Sequence, residues 1–409
     1  MRIEKITILK LIDHWVGGPI CIALVLLYRL THPFYRTYEH VPAKELPPKK
    51  ILILKFIGIG SITLASSIVN NIRNKYKDTK IYFITFKENK EILDILSLAD
   101  KVMIIDAKDP LVLVKTIAQS LVFCWKERID IALDIEFYSK FSTIMCLLSG
   151  ARWRVGFYLA RYWRNSLINV PIYFNNTKHI LEIYSMFSSA LSVDDQDLYP
   201  KEISTTDQDK AELVSVLKNY NIFDLNKFIA INIHASDLAL CRRWPLKHFV
   251  SLVELFFREN SDMKIILTGA KKESFYSQEF LELLPQQHRQ RIIDLTGKLS
   301  LRQFLTLLSQ LPLFVTNDTG PFHLAKAVGA KTISLWGPGS IDLYGPFGRE
   351  KEVQDVIYKR YLCSPCLYVY RTKAGYFCHG KAPCMEDIRP QEVMDLMKRR
   401  LSQKNLKSV

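Results

Sequence analysis

The sequence predicts an α/β fold of two Rossmann-like, doubly wound domains, and three observations carry that expectation. The chain has 409 residues, too many for one ordinary core. Short apolar runs alternate with amphipathic stretches of helical length, the pattern of parallel strands joined by crossover helices. The alternation stops at a polar connector, DDQDLYPKEIS (194–204), and then begins again.

The first such domain is expected over 46–205, after the proline-rich linker HVPAKELPPKK (40–50). ILILKF (51–56) reads as a buried strand, 62–76 as a helix and IYFITF (81–86) as the second strand. VMIID (102–106) and IDIALDIE (129–136) are further strands with a helix around 111–127 between them. A helix at 139–149, a strand at 153–157 and a helix near 178–192 complete the unit. The second domain is expected over 206–387. Its helices are predicted at 207–219, from 244, at 300–309 and from 320. Its strands are FIAINIH (228–234), MKIILTG (263–269), RIIDLTG (291–297), LFVTN (313–317) and TISLWGP (332–338). A last helix rich in Lys and Arg occupies 388–409. The two domains are expected to face each other across a cleft, with ligands on loops that follow the carboxyl ends of strands.

The first 45 residues form a separate element. VGGPICIALVLLY (16–28) carries no charge but falls short of the roughly 20 apolar residues of a standard span. Lys5, Lys10, Arg29 and Arg36 flank it, and no small-residue cleavage site follows. Ile6, Leu9, Ile12 and Trp15 fall at helical spacing, and Gly17, Gly18 and Pro19 then break and restart the helix. The expectation is a helical hairpin lying on or dipping into a membrane surface, the alternative a helix packed on the protein itself. The net charge of +15 suits an anionic partner, either acidic lipid or a phosphorylated substrate. No basic and aromatic RNA-binding signature is present, so nucleic acid is not an expected partner. Scattered Cys21, Cys124, Cys146 and Cys241 read as small hydrophobes of a reducing compartment.

The segment TNDTGPFHLAKAVGAKTISLWGP (316–338) carries the most chemistry. A strand ends at Asn317 and Asp318, Thr319 and Gly320 turn the chain, and Pro321 suits a first helical turn. The N–H groups and positive dipole end of such a helix attract a diphosphate, and Gly320 lets the backbone come close to it. His323, one turn in, is within reach of a phosphate or a sugar hydroxyl. An ordinary capped helix is the plainer reading of this motif taken alone.

Four segments in order resemble the lipopolysaccharide heptosyltransferase family, glycosyltransferase family nine. They are 51–69 (ILILKFIGIGSITLASSIV), 229–249 (IAINIHASDLALCRRWPLKHF), 294–325 and 316–338, with CSPC (363–366) and MEDIRPQEV (385–393) agreeing. The resemblance spans roughly residues 50–400. It implies the GT-B fold and a nucleotide-diphosphate sugar donor, ADP-heptose-like, bound mainly by the second domain. It also implies an acceptor on the first domain and inversion at the anomeric carbon, with no cofactor or catalytic metal required. Arg242 stands where the family has a lysine that neutralises the donor phosphates, and a guanidinium can do so in a bidentate way. Asp318, Thr319, Gly320 and His323 match the donor loop, and Glu273 is a candidate for a ribose contact or a helix-start carboxylate.

One departure bears on catalysis. Where the family carries an aspartate, its proposed base, this chain has Ser61. A serine hydroxyl is no base near neutral pH, so Ser61 either bonds the acceptor or caps its helix. Glu136, beside Asp134, becomes the candidate base. Its alternatives are to cap the helix at 139–149 or to pair with Lys140.

Cys363, Cys366, Cys378 and Cys384 open with Cys-x2-Cys and lie near His379, so structural zinc, free thiols and a local disulfide are all open. DDQD (194–197) lies in the connector and reads as a solvated loop rather than a metal site. Gly58-x-Gly60 lacks the third glycine of a dinucleotide fingerprint, and neither a Walker loop nor a Gly-x-Ser-x-Gly elbow occurs. The expected function is a glycosyltransferase at the cytoplasmic face of a bacterial inner membrane, acting on a lipopolysaccharide or other lipid-linked glycan. A non-catalytic sugar-nucleotide-binding protein and a sugar-nucleotide epimerase are the alternatives.

Overall fold

The computed structural model describes residues 12–32, 36–137, 139–158, 163–194, 196–235, 239–367, 378 and 381–402. The chain divides into two compact units, Met1–Lys201 and Glu202–Val409.

The first unit is built on a parallel six-stranded sheet in the order β3-β2-β1-β4-β5-β6. The strands are β1 (Lys50–Leu54), β2 (Lys80–Phe86), β3 (Lys101–Ile105), β4 (Ile131–Asp134), β5 (Trp153–Tyr158) and β6 (Val170–Tyr173). α1 (Gly17–Thr31) precedes the sheet. α2 (Ile59–Lys75), α3 (Lys90–Leu96), α4 (Pro110–Glu127), α5 (Lys140–Leu148) and α6 (Ile180–Ser189) follow in turn. The steps β1-α2-β2 and β2-α3-β3 run toward one edge, and β3-α4-β4 and β4-α5-β5 toward the other. Right-handed crossovers therefore put α2 and α3 on one face and α4 and α5 on the opposite one. Leu121 and Cys124 of α4 and Met145 and Cys146 of α5 accordingly share one core with Leu52, Leu54 and Ala132 of the sheet. The apolar runs of β1 and β4 are continuous because both faces are covered.

The second unit repeats this plan, with order β12-β11-β10-β7-β8-β9. Its strands are β7 (Phe228–Asn232), β8 (Lys264–Leu267), β9 (Ile292–Asp294), β10 (Phe314–Asn317), β11 (Thr332–Trp336) and β12 (Gln354–Tyr358). The main helices are α7 (Asp207–Lys218), α8 (Leu246–Glu259), α9 (Ser274–Glu282), α10 (Leu301–Gln310), α11 (Gly320–Ala327) and α12 (Pro390–Ser402). The basic last helix is part of this unit, with Val393, Met394 and Met397 in the core formed by α8, β7 and β8.

Strand order reverses between β1 and β4 in the first unit and between β7 and β10 in the second. Such switch points are where open α/β sheets hold ligands.

The N-terminal expectation needs correction. Gly17, Gly18 and Pro19 do not separate two helices. A helical turn over 12–15 passes through Val16, in right-handed helical conformation, into α1. Pro19 lies in the first turn of α1, where its missing N–H costs nothing. Ile12–Thr31 is long and apolar enough to cross a membrane by length and composition. The earlier half of the expected hairpin lies outside the described residues.

Candidate active site

In the second unit, one asparagine organises the switch point. Asn317, the last residue of β10, donates through Nδ2 to the carbonyl of His234 (3.0 Å) and accepts from the Trp244 backbone N–H (3.1 Å). It thus pins both ends of the loop that follows β7. The fully buried Trp244 ring anchors the far end, donating through Nε1 to the Ile388 carbonyl at 2.9 Å. Arg242 stands two residues before that anchor. Its guanidinium lies 3.9 Å from the Asp318 carboxylate, with the two side chains 14% and 8% exposed. The structure therefore brings together Arg242 and Asp318, 76 residues apart in sequence.

Burial raises the Asp318 carboxyl above the ordinary range, and Arg242 opposes that rise. Gly339 makes room for it: a Cβ there would stand 2.0 Å from Asp318 Oδ2. Thr319 is the extended N-cap of α11, with no side-chain cap bond. The positive end of that helix, from Gly320, therefore opens beside the guanidinium. His323 is largely buried one turn in, its ring 6.3 Å from that of Tyr344. Cationic and helix-dipole charge of this kind suits a diphosphate. Glu273 stands at the turn after β8. Its Oε2 accepts from the Ala270 N–H (2.7 Å).

His234 had no signal beyond its place at the end of an apolar run. It is buried, bonded through Nε2 to the Ser277 hydroxyl (3.0 Å), and its Nδ1 has no hydrogen-bond partner among the described residues. Burial first, then Arg243, push its pKa down to about 3, so the ring is neutral.

At the switch point of the first unit, Glu136 does not fit the expected base. Lys55 Nζ lies 3.0 and 3.1 Å from its two oxygens, and the N–H groups of Phe56 and Ile57 each donate to Oε2 at 3.1 Å. Both side chains of the pair are almost wholly buried, at 3% and 2% exposure. With four close donor contacts on its oxygens, the carboxylate clamps the loop after β1. Asn89 holds the same loop from the other side through the Phe56 carbonyl (2.8 Å). Neither alternative role of Glu136 is seen either. Ser139 caps α5, and Lys140 pairs with Asp13 at 3.6 Å. Asp134 sits beside it, accepting from the Glu136 N–H (3.2 Å) and the Thr143 hydroxyl (2.6 Å).

Ser61 is not the cap of its helix. Gly58 occupies that position with φ +93°, a backbone that suits glycine, and no side chain caps α2. The chain enters the helix at Ile59, which leaves Ser61 third in the first turn.

Cys363, Cys366, Cys378 and Cys384 are free thiols. They are neighbours: burial pushes Cys384 up to about 12, and Cys366, Cys363 and Cys378 add to it. Among the described residues no group of three or more His, Cys, Asp or Glu is placed to hold a metal ion. His379 lies outside the described residues.

The family model described as glycosyltransferase family 9 (heptosyltransferase) matches residues 126–372, more than half of the chain. The chain belongs to glycosyltransferase family 9. It is similar to lipooligosaccharide heptosyltransferase 2 of Campylobacter jejuni, 27% identical over 180 residues, 44% of this chain and 53% of that protein. The chain spans about half the length of the curated relatives it matches. Among solved structures, the E. coli ADP-heptose lipopolysaccharide heptosyltransferase II superposes with a TM-score of 0.68 at 19% identity. That match covers 87% of this chain and 99% of that one. E. coli heptosyltransferase WaaC with ADP superposes at 0.61 with 16% identity, covering 86% and 99%. These likenesses bear on fold, and they agree with the GT-B class of this family-9 chain.

Proposed function

We propose that this family-9 chain is an inverting, metal-independent glycosyltransferase. It moves a heptose-like sugar from a nucleotide diphosphate, ADP-heptose-like, to a lipopolysaccharide core or related lipid-linked glycan. The observation that carries this reading is the meeting of Arg242, Asp318 and the start of α11 at the switch point of the second unit. In the reaction an acceptor hydroxyl oxygen attacks the anomeric carbon, and the bond from that carbon to the diphosphate oxygen breaks. The leaving diphosphate takes the electron pair, and the hydroxyl proton passes to a base. Arg242 and the α11 dipole would stabilise the charge that grows on the leaving group. Asp318 holds the guanidinium in place, and its raised pKa weakens its competition with the phosphates. Glu136 and Lys55 are assigned to holding the acceptor-side loop rather than to proton transfer.

The enzyme works at the cytoplasmic face of the inner membrane in this reading. α1 supports that placement. Together with Trp15 (71%) in the helical turn before it, its outer side exposes Leu27 (58%) and Leu30 (79%), too much apolar surface for water alone.

The engaged Glu136 and the serine at position 61 favour one second reading, a sugar-nucleotide-binding protein without transfer. Incubation of the full chain with ADP-heptose and a heptose-deficient lipopolysaccharide acceptor decides between them. Glycosylated acceptor and ADP in equal amounts are expected. Saturable donor binding with no product supports the second reading, and no donor binding overturns both.

A further inference from the structure

Helix α4 presents a second apolar stripe that nothing in the proposed reaction uses. Its inner side, with Leu113, Ile117, Leu121 and Cys124, packs on the sheet of the first unit. Its outer side exposes Leu111 (84%), Val114 (65%), Val122 (43%) and Trp125 (56%), with exposed Ala118 between them. A surface helix ordinarily carries polar side chains there. The polar residues exposed beside this stripe are Lys115, Gln119 and Lys126, with Lys108, the capping Asp109 and Arg128 beyond the helix ends. The one acid of the helix, Glu127, is tied to Lys50 (2.7 Å) and the Tyr82 hydroxyl (3.0 Å).

The stripe shares a side of the unit with α1. α4 and α5 lie on the same face of the sheet, and α1 packs over α5 through Cys21 and Val25 against Ile144. Asp13 tethers the start of α1 to α5, accepting from the Lys140 N–H (3.1 Å) and the Phe141 N–H (2.8 Å). The Tyr28 hydroxyl tethers its end, accepting from Arg154 at 2.7 Å. A helix locked along one side in this way lies along a bilayer rather than through it. A cavity of about 600 Å³ opens at the carboxyl end of α4, lined by Lys44, Lys49, Trp125 and Arg128, with Arg152 paired to Glu45 at 2.9 Å and Asp130 accepting from the Lys49 and Lys50 N–H groups. Cations and tryptophan at the rim of an apolar stripe match the headgroup zone of an acidic membrane.

We propose that α1 and α4 together form a flat membrane-binding face, with α4 inserting its apolar stripe into an anionic phospholipid bilayer. This rests on the membrane association proposed above. It makes α4, a helix of the catalytic fold itself, part of the contact.

The test is co-sedimentation of the full chain with phosphatidylcholine vesicles with and without phosphatidylglycerol. One variant carries Leu111→Asp, Val114→Asp and Val122→Asp; the other carries Ile20→Asp, Leu27→Asp and Leu30→Asp on α1. Binding of the wild type is expected to depend on phosphatidylglycerol and to weaken about tenfold or more in each variant. Loss in the α1 variant alone overturns the role of α4 and leaves membrane association standing. No binding by the wild type, or no loss in either variant, overturns both. A wild-type dimer that the α4 variant splits while its vesicle binding is unchanged assigns the stripe to a second copy and also overturns the proposal. Should the triple variant fail to fold, brominated phosphatidylglycerol keeps the test open. It is expected to quench wild-type tryptophan fluorescence more than that of Trp125→Phe, and equal quenching overturns the role of α4.

Discussion

Replacing Glu136 by glutamine tests the clamp more sharply than any other single change. The substitution keeps the shape but removes the charge. It also puts an amide NH2, a donor, where one of the carboxylate oxygens now accepts. Lys55, 3.0 Å away and 2% exposed, would be left as a buried ammonium without its anion. Phe56 and Ile57, which both donate to Oε2, would lose a charged acceptor. Removing one partner of a buried ion pair costs about 3–5 kcal/mol. A unit of this size shifts in midpoint by about 2–4 °C per kcal/mol, so the first unit should melt roughly 6–20 °C lower. Urea unfolding followed by tryptophan fluorescence would give the free energy directly. Lys55→Met combined with Glu136→Gln should recover much of the loss, because the stranded ammonium is gone. If Glu136→Gln unfolds like the wild type and yet abolishes transfer, the clamp is wrong and Glu136 is the base.

Three further outcomes are expected. Gly339→Ala drives a methyl group onto Asp318 Oδ2, so donor affinity should fall at least tenfold by calorimetry; unchanged affinity would detach this loop from the donor site. His234, depressed to about 3 in the folded unit and ordinary when unfolded, binds more protons in the unfolded chain between about pH 3 and 6.5. Its contribution is therefore complete above that window and is lost as pH falls, costing about 2 kcal/mol by pH 5. His234→Gln should flatten this acid sensitivity in melts at pH 7 and 5, and an equal slope in both proteins would contradict the assignment. Asp13→Ala removes the acceptor at the start of α5 and should cost about 0.5–2 kcal/mol. It should also loosen α1, read as faster proteolysis near residues 12–32, and unchanged cleavage would show that the tether holds nothing.

Much of this architecture was legible in the chain. The alternation of apolar runs and amphipathic stretches predicts both sheets, and the sequence motifs fall on the loops after β1, β4, β7 and β10. The edge strands were harder to see. β6 contains Pro171 and is four residues long, and β12 is polar at its start, so neither has the continuous apolar run of a central strand. The pairing of Glu136 with Lys55 is not legible locally because the two are 81 residues apart, and only the parallel register of β1 with β4 brings them together. Burial alone gives His234 its character, which local pattern does not report. The glycines and proline of α1 read as a break, yet packing against α5 keeps the helix going. Arg242 and Asp318 were separately legible as donor-loop residues. Their contact depends on the two hydrogen bonds that Asn317 makes across the loop after β7.

The central claim is that a diphosphate binds between Arg242 and the start of α11. Titration of ADP into the wild type and into Arg242→Ala, by calorimetry at fixed ionic strength, tests it most directly. Loss of a charge-assisted contact of about 1.5–3 kcal/mol should weaken ADP by roughly ten- to a hundredfold, measured at a temperature where both proteins are folded. Equal affinity in the two proteins would contradict the account.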